Sequence, residues 1–529
     1  MTSLPVADRM RVARLGTRLG ERPDRLARAA YASASFGSGV LGSIAAASAR
    51  YPSAPAIRTD QGELTYAQLW RRSGQLATVL RDRGLTSQDK VALLARNGVF
   101  FVVALTAAAR LGCDVVLLNT SMAAPQIASV SRSEEVALVL YDDTLASLTA
   151  ECGTAAPGSA VLGSAVLGSA EAMAAAAGAG RQPVPPPQRT GDFIVLTSGT
   201  TGRPKGARRP SGGAGTPAIG AFAARFPWGV RRTVVVPAPF FHSWGLAGLL
   251  ISLALSCTVV TRAEFDARAT LEDMAASRAD LLLAVPAMLQ RIADLDPADF
   301  VRNDVRSLRG IISSGSSLPP SVATDVLNRF GPVLYNVYGS TEVAACTIAG
   351  PRDLRRDPGT AGRPAPGVRV EVLDAEGNPC PPGLVGQVFV GSVMRFEGYT
   401  DGQGKPVQHG LLASGDLGRF DSAGRLTIVG REDDMIVSGG ENVYPAEVEE
   451  LLLAHPAVAD AAVIGVPDAE FGQGLEAFIV PAPGANLDAA GVRAFVRARL
   501  ARYKVPRAVR FLDGLPRTAT GKLQRQRLT

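Results

Sequence analysis

The sequence predicts an α/β protein: a large N-terminal domain of mostly parallel sheets, a β-rich subdomain, and a small α+β C-terminal domain. Three observations predict it. From Tyr51 onward, short apolar runs alternate with helix-length stretches, the pattern of parallel strands covered by helices. After Gly367 the pattern changes to short β segments joined by Gly/Asp turns. Past REDDMIVSGG, helix and strand patterns alternate again over about a hundred residues, the size of one further domain.

The elements follow in chain order. Eight arginines against three acids fill the first fifty residues, and Val12, Leu15 and Leu19 form a helical apolar stripe. Residues 1–50 are read as a basic extension, a solvated helix docked on the main domain or a weak contact with a membrane surface. VALLAR and CDVVLLN read as strands around the apolar helix FFVVALTAAARL, and ALVLYDD, DFIVLTSG, RTVVVPA, ADLLLAVP and GIISSG continue the series. Gly153 to Gly180 is Ala/Gly/Ser-rich with a tandem AVLGS repeat, and is read as a surface excursion. VRVEVLD, GQVFVG and GRLTIVG are the short β segments. The terminal domain contains the helices PAEVEELLLAHP and LDAAGVRAFVRARL and the strands AAVIGV, LEAFIVPA and AVRFLD.

Composition excludes several classes. The chain has 529 residues, 47% hydrophobic and 19% charged, which fits a globular enzyme and is too long for one ordinary core. A net charge of +7 suits a polyanionic partner, but without long basic runs a nucleotide or coenzyme A explains it better than a nucleic acid. The five cysteines form no CxxC pair and read as reduced thiols of a cytoplasmic protein. Three histidines make a multi-histidine zinc site improbable. No formal charge lies between Arg232 and Arg262, long enough to suggest a membrane span. Pro237, Pro239 and His242 interrupt it, so WGLAGLLISLAL is read as a buried helix leading to a parallel strand.

The chemistry rests on a set of motifs. LTSGTTGRPKG places Thr197, Ser198, Gly199, Thr200, Thr201, Gly202 and Lys205 after a strand, a nest of backbone N–H groups suited to phosphates. It is not a Walker loop, because Gly206 follows Lys205 where Ser or Thr would be required. SSGSSLP contains Gly315 and Ser316; NVYGSTE contains Asn336, Tyr338, Gly339, Ser340, Thr341 and Glu342 in one tight turn. SGD offers Asp416 to a pair of ribose hydroxyls, GREDD brings Arg431 and Asp433, SGGEN brings Ser438, Gly439, Gly440 and Glu441, and TGK presents Lys522 on a glycine turn.

In this order, the set resembles an acyl-CoA synthetase of the adenylate-forming superfamily, over roughly Tyr51 to Arg525. SGGENVYPAEVE and RNGVFFVVALTAAARLGCDVVLLN are similar to fatty-acyl and related CoA ligases. The resemblance implies a domain at residues 51–431 and a mobile one at 432–529, hinged near Asp433. It implies that the loop holds the β,γ-phosphates of ATP, with Thr341 on phosphate, Glu342 on Mg²⁺, and Asn336, Tyr338, Gly315 and Ser316 around adenine. Asp416 and Arg431 would hold the ribose, and Lys522 the charge growing between carboxylate and α-phosphate. His242 and Trp244, with Gly315 and Gly339, would line the acyl pocket, and Gly439 and Gly440 would let the pantetheine arm pass.

Two departures stand out: GLLASGD has Ser414 for the family's Thr and lacks its aromatic approach, and SSGSSLP replaces a Gly/Ala-rich version. The expected function is an ATP- and Mg²⁺-dependent ligase that joins a medium- or long-chain fatty acid to coenzyme A. An acyl-AMP ligase loading a carrier-protein thiol and a CoA ligase for an aromatic or other acid remain open, as do a homodimer and a peripheral contact at the inner face of the membrane.

Overall fold

The structure is a computed structural model that describes residues 22–37, 39–152, 165–179, 184–198, 204–209, 216–402, 404–438, 441–468, 472–518 and 521–528. The chain begins with a helical hairpin, α1 (Pro23–Phe36) and α2 (Val40–Arg50). α1 buries no residue, whereas α2 buries Leu41, Ile44 and Ala47. Ile44 and Ala47 join the core that holds Tyr66, Leu69 and Phe101.

A six-stranded sheet follows, in the order Ala165–Gly168, Val136–Tyr141, Lys90–Leu94, Asp114–Leu117, β1 (Phe193–Ser198) and β2 (Pro204–Arg209). Only the β1–β2 pair is antiparallel. Its central strands Lys90–Leu94 and Asp114–Leu117 are almost wholly buried apolar runs, as strands covered on both faces are. The tandem-repeat region differs from the sequence expectation. The second AVLGS copy supplies the edge strand Ala165–Gly168 and the start of the helix Ser169–Gly178. Buried Leu167, Ala172 and Ala176 hold that pair down, and the Asp143 carboxylate accepts from Ser169 Oγ and the Ala170 N–H at 3.0 and 2.8 Å.

The second, nine-stranded sheet carries most of the site. After α3 (Thr216–Ala223), the uncharged stretch forms α4 (Ser243–Ala254) and the parallel strand Thr258–Val260. No helix among the described residues is long and apolar enough to cross a membrane. NVYGSTE is not one tight turn. Its first five residues lie in strand β3 (Leu334–Ser340), which pairs antiparallel with β4 (Ala344–Ala349), and only Thr341 to Val343 form the turn. The β-rich subdomain pairs β5 (Leu411–Phe420) with β6 (Leu426–Arg431). The C-terminal sheet, Glu441–Val443, Ile436–Ser438, Gly472–Pro481, Val458–Asp468 and Ala508–Phe511, buries its own core around Val448, Val463 and Val496.

Candidate active site

Asp416 and Arg431 face each other because they are register partners on β5 and β6. Arg431 Nη1 stands 3.5 Å from Asp416 Oδ1, and the Tyr338 hydroxyl, from a different sheet, donates to Asp416 Oδ2 at 2.6 Å. Burial pushes the Asp416 carboxyl up, against the pull of Tyr338, Arg431 and Lys405. Burial and the neighbouring carboxylate likewise push Tyr338 well above the ordinary tyrosine range, so it stays a donor. Gly415 makes this bend possible: its φ is +84°, and a Cβ would come within 3.2 Å of both Arg431 Nη2 and Lys405 Nζ. Ser414, the departure from the family pattern, caps the same bend by accepting from the Asp416 N–H at 3.1 Å.

Glu342 occupies the β3–β4 turn. Ser340 Oγ accepts from the Glu342 N–H at 3.2 Å and donates to its Oε2 at 2.7 Å, and the Tyr399 hydroxyl donates to Oε1 at 2.8 Å. Burial alone would raise its pKa, but the Lys405 charge and these two bonds outweigh it and hold the carboxyl below its usual value. Next to it, Thr341 Oγ1 lies 3.1 Å from Ser243 Oγ at the start of α4. Lys405 donates to the Ser414 carbonyl at 2.6 Å.

The phosphate-loop residues Gly199, Thr200, Thr201 and Gly202 lie outside the described residues, as do Gly439 and Gly440. Thr197 and Ser198 end β1, paired with Lys205 and Pro204 of β2. Lys205 Nζ is 3.4 Å from Asp401 and stands over the Tyr399 ring. The segment from Glu397 to Thr400 hydrogen-bonds along β2, with Thr400 N donating to Gly206 O at 2.9 Å. Tyr399 thus ties the strand after the loop to Glu342.

Lys522 reaches this cluster from the far end of the chain. Its turn is closed by Thr518 N donating to Lys522 O at 2.8 Å, and Arg517, paired with Asp460, donates to the Gly521 carbonyl at 2.9 Å. Gly521 has φ +77°, and a Cβ there would lie 2.5 Å from Ala287 Cβ of the N-terminal domain, so only glycine allows this approach. Burial, then Arg431, lower the Lys522 pKa, while Asp434, Glu342 and Asp416 raise it.

A single cavity of about 2580 Å³ is bordered by Lys205, His242, Trp244, Gly315, Ser316 and Asn336. Tyr338, Gly339, Ser340, Thr341, Glu342, Asp416, Arg431, Asp433 and Lys522 border it too. Ser438 is buried in Ile436–Ser438 and is not part of this lining, and Glu441 opens the strand Glu441–Val443. Asn336 donates to Thr360 O at 3.4 Å, and Gly315 holds φ +93°. Trp244 Nε1 donates to Ala284 O at 3.2 Å. The His242 Nε2 is buried without a partner among the described residues, and burial lowers its pKa to about 4, leaving a neutral ring.

Sequence reasoning missed Lys405, Tyr399 and Arg517. Lys405 follows Gly404 as Lys522 follows Gly521, a sequence signal that could have found it, whereas Tyr399 and Arg517 act only through contacts made by folding.

The donor set suits a magnesium nucleotide. One buried carboxylate held in its charged form, beside two lysines, matches an ion that takes one or two protein oxygens and completes its shell with phosphate and water.

The AMP-binding enzyme family model matches residues 44–400, and its C-terminal domain model matches 447–522. The chain belongs to the AMP-binding enzyme family. It is an adenylate-forming acid–thiol ligase, of the type that uses ATP, Mg²⁺ and coenzyme A. It is 33% identical to an indoleacetate–CoA ligase of Aromatoleum aromaticum, over 90% of this chain and 94% of that one. It is 31% identical to the fatty acid–[acyl-carrier-protein] ligase ScoC of Streptomyces coeruleorubidus, over 90% and 93%. Among solved structures, ATP-bound MatB from Rhodopseudomonas palustris aligns with a TM-score of 0.78 at 30% identity, covering 90% and 95%.

Proposed function

We propose that this AMP-binding enzyme activates a medium- or long-chain fatty acid as its acyl adenylate and transfers the acyl group to coenzyme A. The observation that carries the first step is Lys522 bordering the same cavity as Asp416, Arg431 and Glu342. In this reading Asp416 accepts from the ribose hydroxyls, with Arg431 beside it, while Asn336, Tyr338, Gly315 and Ser316 frame the adenine. The loop from Thr197 to Lys205 and Thr341 hold the phosphates. Glu342 would hold Mg²⁺, whose charge would offset that of the departing pyrophosphate. The substrate carboxylate attacks the α-phosphorus, the bond to the β-phosphate breaks, and Lys522 stabilises the charge between carboxylate and phosphate.

For the second step, residues 432–529 turn about Asp433, which lies exposed in the turn after β6. The lysine turn then withdraws, and the segment Ser438 to Glu441 faces the acyl adenylate, where the thiol displaces AMP. The support for two arrangements is steric: with Gly521 against Ala287, the lysine turn borders the cavity that the pantetheine arm must enter.

α4 brings no charged side chain to the cavity, which favours an alkyl acid. The similarity to a ligase named for indoleacetate favours a second reading, an aromatic acid. The similarity to ScoC keeps a carrier-protein acceptor in view. Incubating the enzyme with ATP, Mg²⁺ and a panel of alkyl and aryl acids, with coenzyme A or holo-carrier protein, separates these readings. Pyrophosphate reports activation and the thioester reports the acceptor. Failure of every acid to release pyrophosphate would overturn the ligase assignment for this chain.

A further inference from the structure

We propose that the N-terminal helical hairpin sets the acyl-chain length, with Val40 and Ser43 of α2 forming the end wall of the acyl arm; this rests on the reading of that arm as the acyl pocket. Three observations carry it. First, the cavity follows α4 along one face, through Leu246, Leu250, Ile251, Ala254 and Leu255. Leu246, Leu250 and Ala254 are four apart and share a stripe, which Ile251 and Leu255 widen to half the helix surface. From Leu246 to Leu255 the helix rises ~13 Å at 1.5 Å per residue. A zigzag carbon chain with 1.52 Å bonds near 111° advances ~1.25 Å per carbon, so the arm takes a tail of about ten carbons.

Second, Gly39, Val40 and Ser43 border the same cavity, and α2 packs on α4. Val40 also borders, together with Phe193 at the start of β1, a separate space of only about 10 Å³, barely room for one water. Phe193 stands four residues before Thr197, ~13 Å from the phosphate-loop end of β1 at strand spacing. Val40 therefore borders the cavity with closely packed protein behind it.

Third, Ser48 Oγ of α2 donates to the Tyr66 carbonyl and the Tyr66 hydroxyl donates to the Cys257 carbonyl just past α4, so α2 meets the end of α4 opposite Ser243, which lies beside Thr341 of the site. An extra or missing methylene against such a wall changes specificity by roughly ten- to two-hundredfold.

The experiment measures kcat/KM for saturated acids from hexanoate to palmitate, by pyrophosphate release, in the full-length protein. Val40→Phe and Ser43→Leu shorten the arm, and each should lower the tetradecanoate-to-octanoate ratio at least about tenfold. Val40→Ala lengthens it and should raise that ratio. The opposite signs separate an end wall from general damage, and ATP binding by calorimetry confirms that each variant is folded. Ratios unchanged in all three variants would overturn the proposal, meaning that the tail leaves past Ile219, which borders the cavity and is 45% exposed. If the wild-type enzyme activates aromatic acids but no alkyl acid, the fatty-acid reading falls by itself. The wall is then tested with 4-alkoxybenzoates of rising length, whose cut-off the same variants must move in the same directions.

Discussion

Replacing Asp416 with Asn keeps the shape of the side chain and removes its charge. Its carboxylate already accepts from Tyr338 at 2.6 Å and faces Arg431 at 3.5 Å. A carboxylate has about four acceptor positions, so two remain for a pair of ribose hydroxyls. Hydrogen bonds to a charged group contribute about 1.5–3 kcal/mol, and each 1.4 kcal/mol is tenfold in affinity. Asp416→Asn should therefore weaken nucleotide binding roughly ten- to a hundredfold, and the amide N–H₂ must also face either Arg431 or the Tyr338 proton. Calorimetric titration with ATP and with AMP is the assay. The loss should be equal for both, because they share the ribose. The pH dependence has a definite sign. Burial raises the Asp416 pKa, so the carboxylate becomes protonated, and nucleotide affinity falls, at a pH above that of an ordinary aspartate. Tyr338→Phe removes a bond that opposes this rise and should move the loss to still higher pH. Affinity for AMP within about twofold of wild type in Asp416→Asn would remove this residue from the nucleotide site.

Further outcomes follow from the same geometry. Lys522→Ala should abolish acyl-adenylate formation while supplied acyl adenylate and coenzyme A still yield thioester; loss of both half-reactions would refute the two-arrangement reading. Gly521→Val and Arg517→Ala should each slow only adenylation, by about tenfold or more, since one blocks the approach to Ala287 and the other frees the Gly521 carbonyl. The alkaline limb of adenylation should lie below the ordinary lysine value of 10.5, because burial and Arg431 lower the Lys522 pKa; a pH–rate profile checks it. His242 has a pKa lowered from 6.5 to about 4, so its contribution to stability is intact above 6.5 and is lost as pH falls toward 4. Denaturant unfolding of His242→Phe should show a shallower acid loss over that window than wild type.

The sequence by itself determined the strand–helix alternation, the buried nature of WGLAGLLISLAL and the motif set, since periodicity and glycine turns are local properties. It was weakest where an element depends on distant partners. The second AVLGS copy looks like low complexity, and becomes a strand and helix only because Val136–Tyr141 offers an edge and Asp143 caps the helix start. NVYGS reads as a turn, but pairing with Ala344–Ala349 makes most of it a strand. Only the tertiary structure joined Tyr338 to Asp416 across 78 residues, and Tyr399 to Glu342 across 57. It alone brought Val40 and Ser43 of the first helices to the border of the same cavity. Spacing along the chain fixes what a few neighbouring residues can do, but which charges share a buried cavity is set by long-range packing. That packing leaves Glu342 charged, pushes Asp416 up and Lys522 down, and turns separate motifs into one site.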